Sequence, residues 1–136
     1  MPTTTPAAIA KEIEKTLKQF PAIKLAILFG SLSQGTAHAD SDIDVAVAAD
    51  TVLNSEQKTQ LINAIAQSTA RPVDLIDLQQ KREPVFGQAI TKGKLIFCHD
   101  HKLYAELIKT VMFNAADFLP YRSRILKERR KAWINN

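Results

Sequence analysis

The sequence predicts an α/β sandwich in which helices flank a small mixed β-sheet. Short apolar runs of strand length alternate along the chain with longer segments whose apolar residues recur at helical spacing. Glycine or proline marks several of the boundaries between these segments. The 136 residues, 46 % of them apolar, suffice for one hydrophobic core, so we expect residues 1–136 to form a single domain.

The first part of the chain is predicted to fold as a helix, a strand and a polar connection. Apolar residues recur at helical spacing over 7–19, and Pro21 ends this helix. The apolar run 24–29, which Gly30 stops, is typical of a buried strand. Small and polar residues over 31–41 favour a short helix and a loop. The apolar positions of the first helix are Ala8, Ile9, Ile13 and Leu17.

A strand, a helix and another strand are predicted next. Residues 42–48 alternate in character, which indicates a strand with two distinct faces. Asn54 or Ser55 can cap a helix that continues to about Ala70. Pro72 then opens a third strand over 73–78. The buried stripe of the helix is expected to comprise Leu61, Ile62, Ile65 and Ala66.

The last part of the chain is predicted to contain a short helix, a strand and more helix. The short helix covers 85–91 and stops at Gly93, and strand 94–98 follows. Helical spacing then fills segment 101–136, which Pro120 interrupts. Its apolar positions are Leu103, Leu107, Ile108, Val111, Met112, Ala115, Tyr121, Ile125, Leu126 and Trp133. One small sheet needs less apolar surface than this, so we expect the segment to serve partly as core and partly as a partner-docking element.

Two aspartates on the second predicted strand are candidate metal ligands. Asp42 and Asp44 lie two residues apart, so their carboxylates project from the same face of the strand. Two negative charges this close repel each other, and a divalent cation removes the repulsion. Carboxylate oxygens are the ligands that Mg²⁺ prefers, usually together with substrate phosphates. An Asp-x-Asp pair is also common by chance, so the pair needs support from a second motif.

That support comes from Gly30 and Ser31, which follow the first predicted strand. Backbone N–H groups at a helix start, a glycine that permits close approach and a hydroxyl donor together form an anion site. Ten residues separate Ser31 from Asp42. A phosphate site at the end of one strand, beside carboxylates on the next, is the arrangement that phosphoryl transfer requires.

Both motifs, with this spacing, resemble the polymerase-β-type nucleotidyltransferase superfamily. The matching residues are 29–31 (Phe-Gly-Ser) and 41–45 (Ser-Asp-Ile-Asp-Val). More narrowly, the chain resembles the minimal nucleotidyltransferases that act as antitoxins to HEPN-domain ribonucleases. The resemblance extends over about residues 10–120. It implies the polymerase-β-like nucleotidyltransferase fold and a third carboxylate on a neighbouring strand.

Two residues of the third predicted strand are candidates for that carboxylate. Asp74 and Asp77 are three apart, so in a regular strand they face opposite sides and cannot both serve. Asp74 matches the position that the resemblance implies, and a carboxylate early in an apolar strand needs a partner. We therefore expect Asp74 to complete the site, and Asp77 to be a loop-capping or surface carboxylate.

The resemblance also implies an activity, namely transfer of AMP from ATP to a tyrosine hydroxyl of a cognate HEPN ribonuclease toxin, which is thereby neutralised. By that analogy the three aspartates hold two Mg²⁺ ions, while Gly30 and Ser31 bind the outgoing phosphates. A chain of 136 residues has little room for an acceptor domain, which favours a macromolecular acceptor. Two alternatives stay open: an antitoxin that only binds its toxin, and a nucleotidyltransferase directed at RNA or DNA.

One departure from the family pattern concerns the nucleotide. Many relatives have arginines directly after the Gly-Ser pair, whereas residues 32–35 contain no basic side chain. The source of triphosphate neutralisation is therefore left open.

Composition narrows the setting. The chain has a net charge of +4, and its basic residues are unevenly placed. Six of them lie near the C-terminus: Arg122, Arg124, Lys127, Arg129, Arg130 and Lys131. Such a cluster can contact nucleic acid or an acidic partner, or it can form a solvated helix face, which we favour from charge alone. No aromatic-interleaved basic platform of the kind that single-stranded nucleic acid favours accompanies it. One cysteine precludes an intrachain disulfide, and no apolar run reaches membrane-spanning length, so we expect a cytoplasmic protein without membrane contact. The cluster at 98–101 (Cys-His-Asp-His) fits a turn better than a zinc site.

Overall fold

The predicted α/β sandwich is confirmed by the computed structural model, which describes residues 5–30, 42–80 and 84–117. Four helices and four strands lie in these ranges. They are α1 (Pro6–Leu17), β1 (Leu25–Phe29), β2 (Ile43–Ala48), α2 (Ser55–Thr69), β3 (Val73–Asp77), α3 (Pro84–Lys92), β4 (Lys94–Cys98) and α4 (His101–Asp117). The predicted short helix over 31–41 and the helical piece after Pro120 lie outside the described residues. No described helix is long and apolar enough to span a bilayer.

The sheet is mixed, with strand order β3-β2-β1-β4. β1 pairs antiparallel with both β2 and β4, whereas β2 and β3 are parallel and are joined through α2. A register shift between Ala26 and Ile27 interrupts the β1–β4 pairing. Because β1 runs against β2 and β3, the end of β1 and the starts of β2 and β3 meet at one edge of the sandwich.

Both faces of the sheet are buried, each under two helices. Alternation along β2 places Ile43, Val45 and Val47 in the cluster under α1 and α2. Ala46 and Ala48 point to the other cluster, under α3 and α4. The two faces predicted for this strand are therefore confirmed, and its central position explains why neither face is polar along most of its length.

Local sequence sets the helix boundaries. The Thr5 hydroxyl accepts a hydrogen bond from the Ala8 N–H (3.2 Å) and caps α1. Asn54 and Gln57 form a reciprocal capping box at the start of α2, which selects Asn54 over Ser55 as the cap. α3 ends at Lys92, directly before Gly93, as predicted.

Two predicted apolar stripes were partly wrong. Ala8 is exposed, although Ile9, Ile13 and Leu17 of α1 are buried. On α4, Leu107 is buried, with Leu103 and Val111 packed beside it, whereas Ile108 and Met112 are 37 % and 65 % exposed. Part of the predicted α4 stripe therefore does not pack on the sheet.

Candidate active site

Three aspartates lie at the edge where β2 and β3 begin. Asp44 is the register partner of Asp74 in the parallel β2–β3 pair, so the two side chains emerge side by side. Asp42 directly precedes β2, two residues before Asp44. Asp42 and Asp74 are exposed and Asp44 is half-buried. The strand register thus places Asp74 beside Asp44, and Asp42, the third carboxylate that the sequence singled out, is close enough for its charge to act on Asp44.

The electrostatics of this cluster disfavour three negative charges. Burial raises the pKa of Asp44 above its ordinary value of 3.8, and the nearby charges of Asp74 and then Asp42 raise it further. Each cause penalises the ionised form of Asp44 at neutral pH. A bound cation would offset all of them, and therefore the donor chemistry fits a divalent metal ion.

The described residues do not form a closed metal cage. Within 5–30, 42–80 and 84–117, no three acidic, histidine or cysteine side chains are gathered closely enough to hold a metal ion by themselves. An open carboxylate cluster of this kind suits Mg²⁺, which is usually bound by one or two carboxylates and completes its shell with water and substrate phosphates. Asp44, with Asp42 and Asp74 beside it, is the group that could hold such an ion.

Gly30 lies against this cluster from the β1 side. Phe29 is the register partner of Asp44, and Gly30 follows it with φ of +77°, in the left-handed region that favours glycine. A Cβ atom at position 30 would overlap the Asp44 carboxylate. The sequence indicated a glycine for close phosphate approach, and the structure adds a contact with Asp44 that no sequence pattern disclosed. Ser31 lies outside the described residues, as do His38 and Asp40.

Asp77 lies away from this site, on the opposite face of β3 from Asp74. It is only 4 % exposed, and its two carboxylate oxygens accept hydrogen bonds from the Leu53 N–H (2.7 Å) and the Gln79 N–H (2.9 Å). The expectation of a loop-capping carboxylate is confirmed, and the alternative of a surface position is wrong. The bond to Leu53, 24 residues away in sequence, was not predicted.

A cleft lies at the other end of the sheet from the three aspartates. It has a volume of about 270 Å³ and lies between the ends of β2, β3 and β4 and the first turns of α4. Its lining residues are Asp50, Gln79, Asp100, Lys102, Leu103, Glu106 and Leu107. Asp44, whose pKa is raised, and its neighbouring carboxylates lie at the opposite edge of the sheet, so this cleft is not part of the candidate site.

The Cys98–His101 cluster belongs to the turn between β4 and α4. The Asp100 carboxylate accepts a hydrogen bond from the Leu103 N–H (3.0 Å), and the backbone carbonyl of Asp100 accepts one from the Tyr104 N–H (3.1 Å). The His99 ring packs on Phe97 with a centroid separation of 4.6 Å. Each of these contacts is structural, and the expected turn is confirmed.

Comparison with known proteins gives matches over most of the chain. Residues 11–102 match the family described as polymerase beta, nucleotidyltransferase. The chain is 36 % identical over 103 residues to the protein adenylyltransferase MntA of Shewanella oneidensis, an alignment that covers 74 % of this chain and 73 % of that protein.

Several solved structures have folds similar to that of this chain. A chain from a crystal structure of a toxin–antitoxin with AMP-PNP has a TM-score of 0.66 and 30 % identity, covering 86 % of this chain and 98 % of that one. A chain from the tri-AMPylated Shewanella oneidensis HEPN toxin in complex with MNT antitoxin has a TM-score of 0.62 and 27 % identity, covering 90 % and 99 %.

Proposed function

Because this chain belongs to the polymerase-β nucleotidyltransferase family, we propose that it is an antitoxin enzyme that transfers AMP from ATP to a tyrosine hydroxyl of a cognate HEPN ribonuclease toxin. The observation that carries the proposal is the pairing of Asp44 with Asp74 across β2 and β3, with Asp42 two residues ahead and Gly30 alongside. The relatives support it, since they include a protein adenylyltransferase and complexes with AMP-PNP and with an AMPylated HEPN toxin.

In the proposed reaction the acceptor hydroxyl oxygen attacks the α-phosphorus of ATP in line with the leaving group. A bond forms between that oxygen and the α-phosphorus, the bond from the α-phosphorus to the bridging oxygen breaks, and pyrophosphate leaves. The hydroxyl proton passes to a carboxylate of the site or to water. Two Mg²⁺ ions, held by Asp42, Asp44 and Asp74, would supply Lewis-acid stabilisation of the attacking and leaving oxygens.

Exposure suggests how the three carboxylates divide these tasks. Half-buried Asp44 lies near both other carboxylates, and we assign it, with Asp42, to the ion that would bind the triphosphate. Asp74 is exposed on β3, an edge strand, so a hydroxyl presented by a second protein can reach it. We assign Asp74 to the acceptor side, and Gly30 and Ser31 to the outgoing phosphates.

The α4 helix offers a surface on which a toxin could dock. Met112 and Phe113 are 65 % and 66 % exposed, and Ile108 lies one turn before Met112 with 37 % exposure. Side chains of this size are favourable centres for a protein interface, because they bury large apolar areas. We propose this α4 face as part of the docking element predicted over 101–136.

The transfer can be tested with α-labelled ATP and Mg²⁺, offering the purified HEPN toxin and, separately, RNA as acceptors. The test variant is Asp42→Asn/Asp44→Asn. A matched control is Asp50→Asn, which removes an exposed carboxylate just beyond the other end of the same strand. We expect the wild type and Asp50→Asn to label the toxin, and the double variant to lose the label by at least about a hundredfold.

Other outcomes would decide between the alternatives. A toxin neutralised without any label would indicate an antitoxin that acts by binding alone. Label on RNA and none on the toxin would indicate a nucleic-acid-directed enzyme. Equal labelling by the wild type and the double variant would remove the carboxylate site from the mechanism.

The docking face has its own test, because binding and transfer can fail separately. Phe113→Glu places a charge on the proposed interface, and Val52→Glu places one on an apolar residue that is 52 % exposed elsewhere. We expect Phe113→Glu to weaken toxin binding by at least about tenfold, because the substitution removes an interface anchor. Val52→Glu should leave toxin binding unchanged. Equal affinities for both variants would place the toxin on another surface.

A further inference from the structure

We propose that Gly30 is a positioning residue for the Asp44 carboxylate, beyond any role it has at the phosphates. The inference rests on the proposed function, since it treats Asp44 as a metal ligand. The β1–β2 register pairs Phe29 with Asp44, so the next residue leaves the sheet alongside the Asp44 side chain. A Cβ atom at position 30 would overlap Oδ2 of Asp44 and lie 3.0 Å from its Cγ and 3.2 Å from its Cβ.

This close approach limits where the carboxylate can go. β2 lies between β1 and β3, so Asp44 has Gly30 on one side and Asp74 on the other. Displacement away from position 30 moves the Asp44 carboxylate toward Asp74, a like charge, and repulsion opposes it. The absence of a side chain at Gly30 leaves room for the Asp44 carboxylate, and the charge of Asp74 keeps it there. At that position the Asp44 and Asp74 carboxylates could bind one cation together.

Two simpler reasons for a glycine make different predictions. The first is its φ of +77°, which strains any residue with a side chain, although Ala70 adopts φ of 56° in this same fold. The second is close approach of a phosphate to the backbone. The phosphate reason predicts no change in metal binding when no nucleotide is present, and the strain reason predicts that asparagine, which tolerates positive φ, restores any affinity that alanine loses.

The experiment measures Mn²⁺ binding to the full chain without nucleotide, by electron paramagnetic resonance, for the wild type, Gly30→Ala and Gly30→Asn. Gly87→Ala is the matched control, because a Cβ there meets no atom within 4 Å. We expect Gly30→Ala to bind Mn²⁺ at least tenfold more weakly, the usual loss when an outer residue that orients a ligand is changed. Gly30→Asn should lose as much affinity although asparagine tolerates positive φ better than alanine, and Gly87→Ala should bind normally.

A double-mutant cycle covers the case in which Gly30→Ala folds poorly. If the overlap with Asp44 is the cause, Gly30→Ala should shift the urea midpoint less in an Asp44→Ala background than in the wild type, because most of the overlapping atoms are gone. Additive shifts would overturn the inference. So would normal Mn²⁺ affinity in a folded Gly30→Ala with only ATP binding weakened, recovery of affinity in Gly30→Asn, or wild-type Mn²⁺ binding that does not require Asp44.

These outcomes are distinguishable from failure of the proposed function. Wild-type protein that binds Mn²⁺ through Asp44, and loses that binding in Gly30→Ala, but transfers no AMP to the toxin, would remove the proposed activity and leave the role of Gly30 standing.

Discussion

Asp77 is the residue whose replacement gives the most direct test of how the sheet is held together. Both of its carboxylate oxygens accept a backbone N–H, one from Leu53 in the β2–α2 loop and one from Gln79 after β3. The Gln79 side chain in turn donates to the Ala49 carbonyl (2.6 Å), and the Leu78 N–H donates to the Val47 carbonyl (2.8 Å). These bonds join the ends of the two parallel strands.

The magnitude follows from the two bonds and the burial. A hydrogen bond to a charged group contributes about 1.5–3 kcal/mol, and an N–H left buried without a partner adds to the loss. Asp77→Asn keeps one acceptor oxygen but turns an NH₂ toward the other N–H, so it should cost about 2 kcal/mol. Asp77→Ala loses both acceptors and should cost roughly 4 kcal/mol, a large part of the 5–15 kcal/mol typical of a domain.

The assay is urea unfolding followed by far-UV circular dichroism, with free energies compared at constant slope. Asp74→Asn is the matched control, because it makes the same change on the same strand at an exposed position. We expect the order Asp74→Asn, Asp77→Asn, Asp77→Ala in increasing loss of stability. An Asp77→Asn variant as stable as the wild type would refute the assignment of both oxygens to backbone donors.

Three further predictions concern other positions. The pKa of Asp44 is raised in the folded state, so the free energy of unfolding of the wild type falls as pH rises from 3.8 through the folded pKa. In urea unfolding, Asp44→Asn should therefore be more stable than the wild type at pH 7 but not below pH 3.8. The same variant should lose transfer activity. Saturating Mg²⁺ should raise the melting temperature of the wild type but not of Asp44→Asn, and EDTA should reverse the rise, which differential scanning fluorimetry can follow. Gly93→Ala should destabilise, by about 1–3 kcal/mol in urea unfolding, because its Cβ would overlap Ile27, whereas Gly87→Ala should be neutral or stabilising.

Much of the fold could be predicted because the local patterns agree with one another. The alternation in 43–48 gave both faces of β2 correctly, and Asn54 and Gly93 lie at the helix boundaries that their chemistry favours. The family match and the similar solved structures confirm the polymerase-β-like fold that the motifs at 29–31 and 41–45 implied. Agreement between propensity, pattern and motif is what makes such predictions hold.

What could not be predicted depends on which strands become neighbours. Period alone placed Asp74 and Asp77 on opposite faces of β3, but the pairing of Asp74 with Asp44 requires the parallel register of β2 and β3, which no local pattern encodes. The contact of Gly30 with Asp44 likewise requires β1 to lie on the other side of β2. The exposure of Met112 depends on which side of α4 packs on the sheet, and helical spacing alone does not decide this.

The two ends of the β2–β3 pair differ in what they contribute to stability, and the difference bears on function. At one end, burial and two like charges raise the pKa of Asp44, so this cluster opposes folding at neutral pH. At the other end, Asp77 satisfies two backbone donors and fixes the parallel register. A fixed register keeps Asp44 beside Asp74 despite their repulsion, as the proposed metal site requires. Substitutions at Asp77 should therefore lower Mg²⁺ affinity indirectly, and to a smaller extent than substitutions at Asp44.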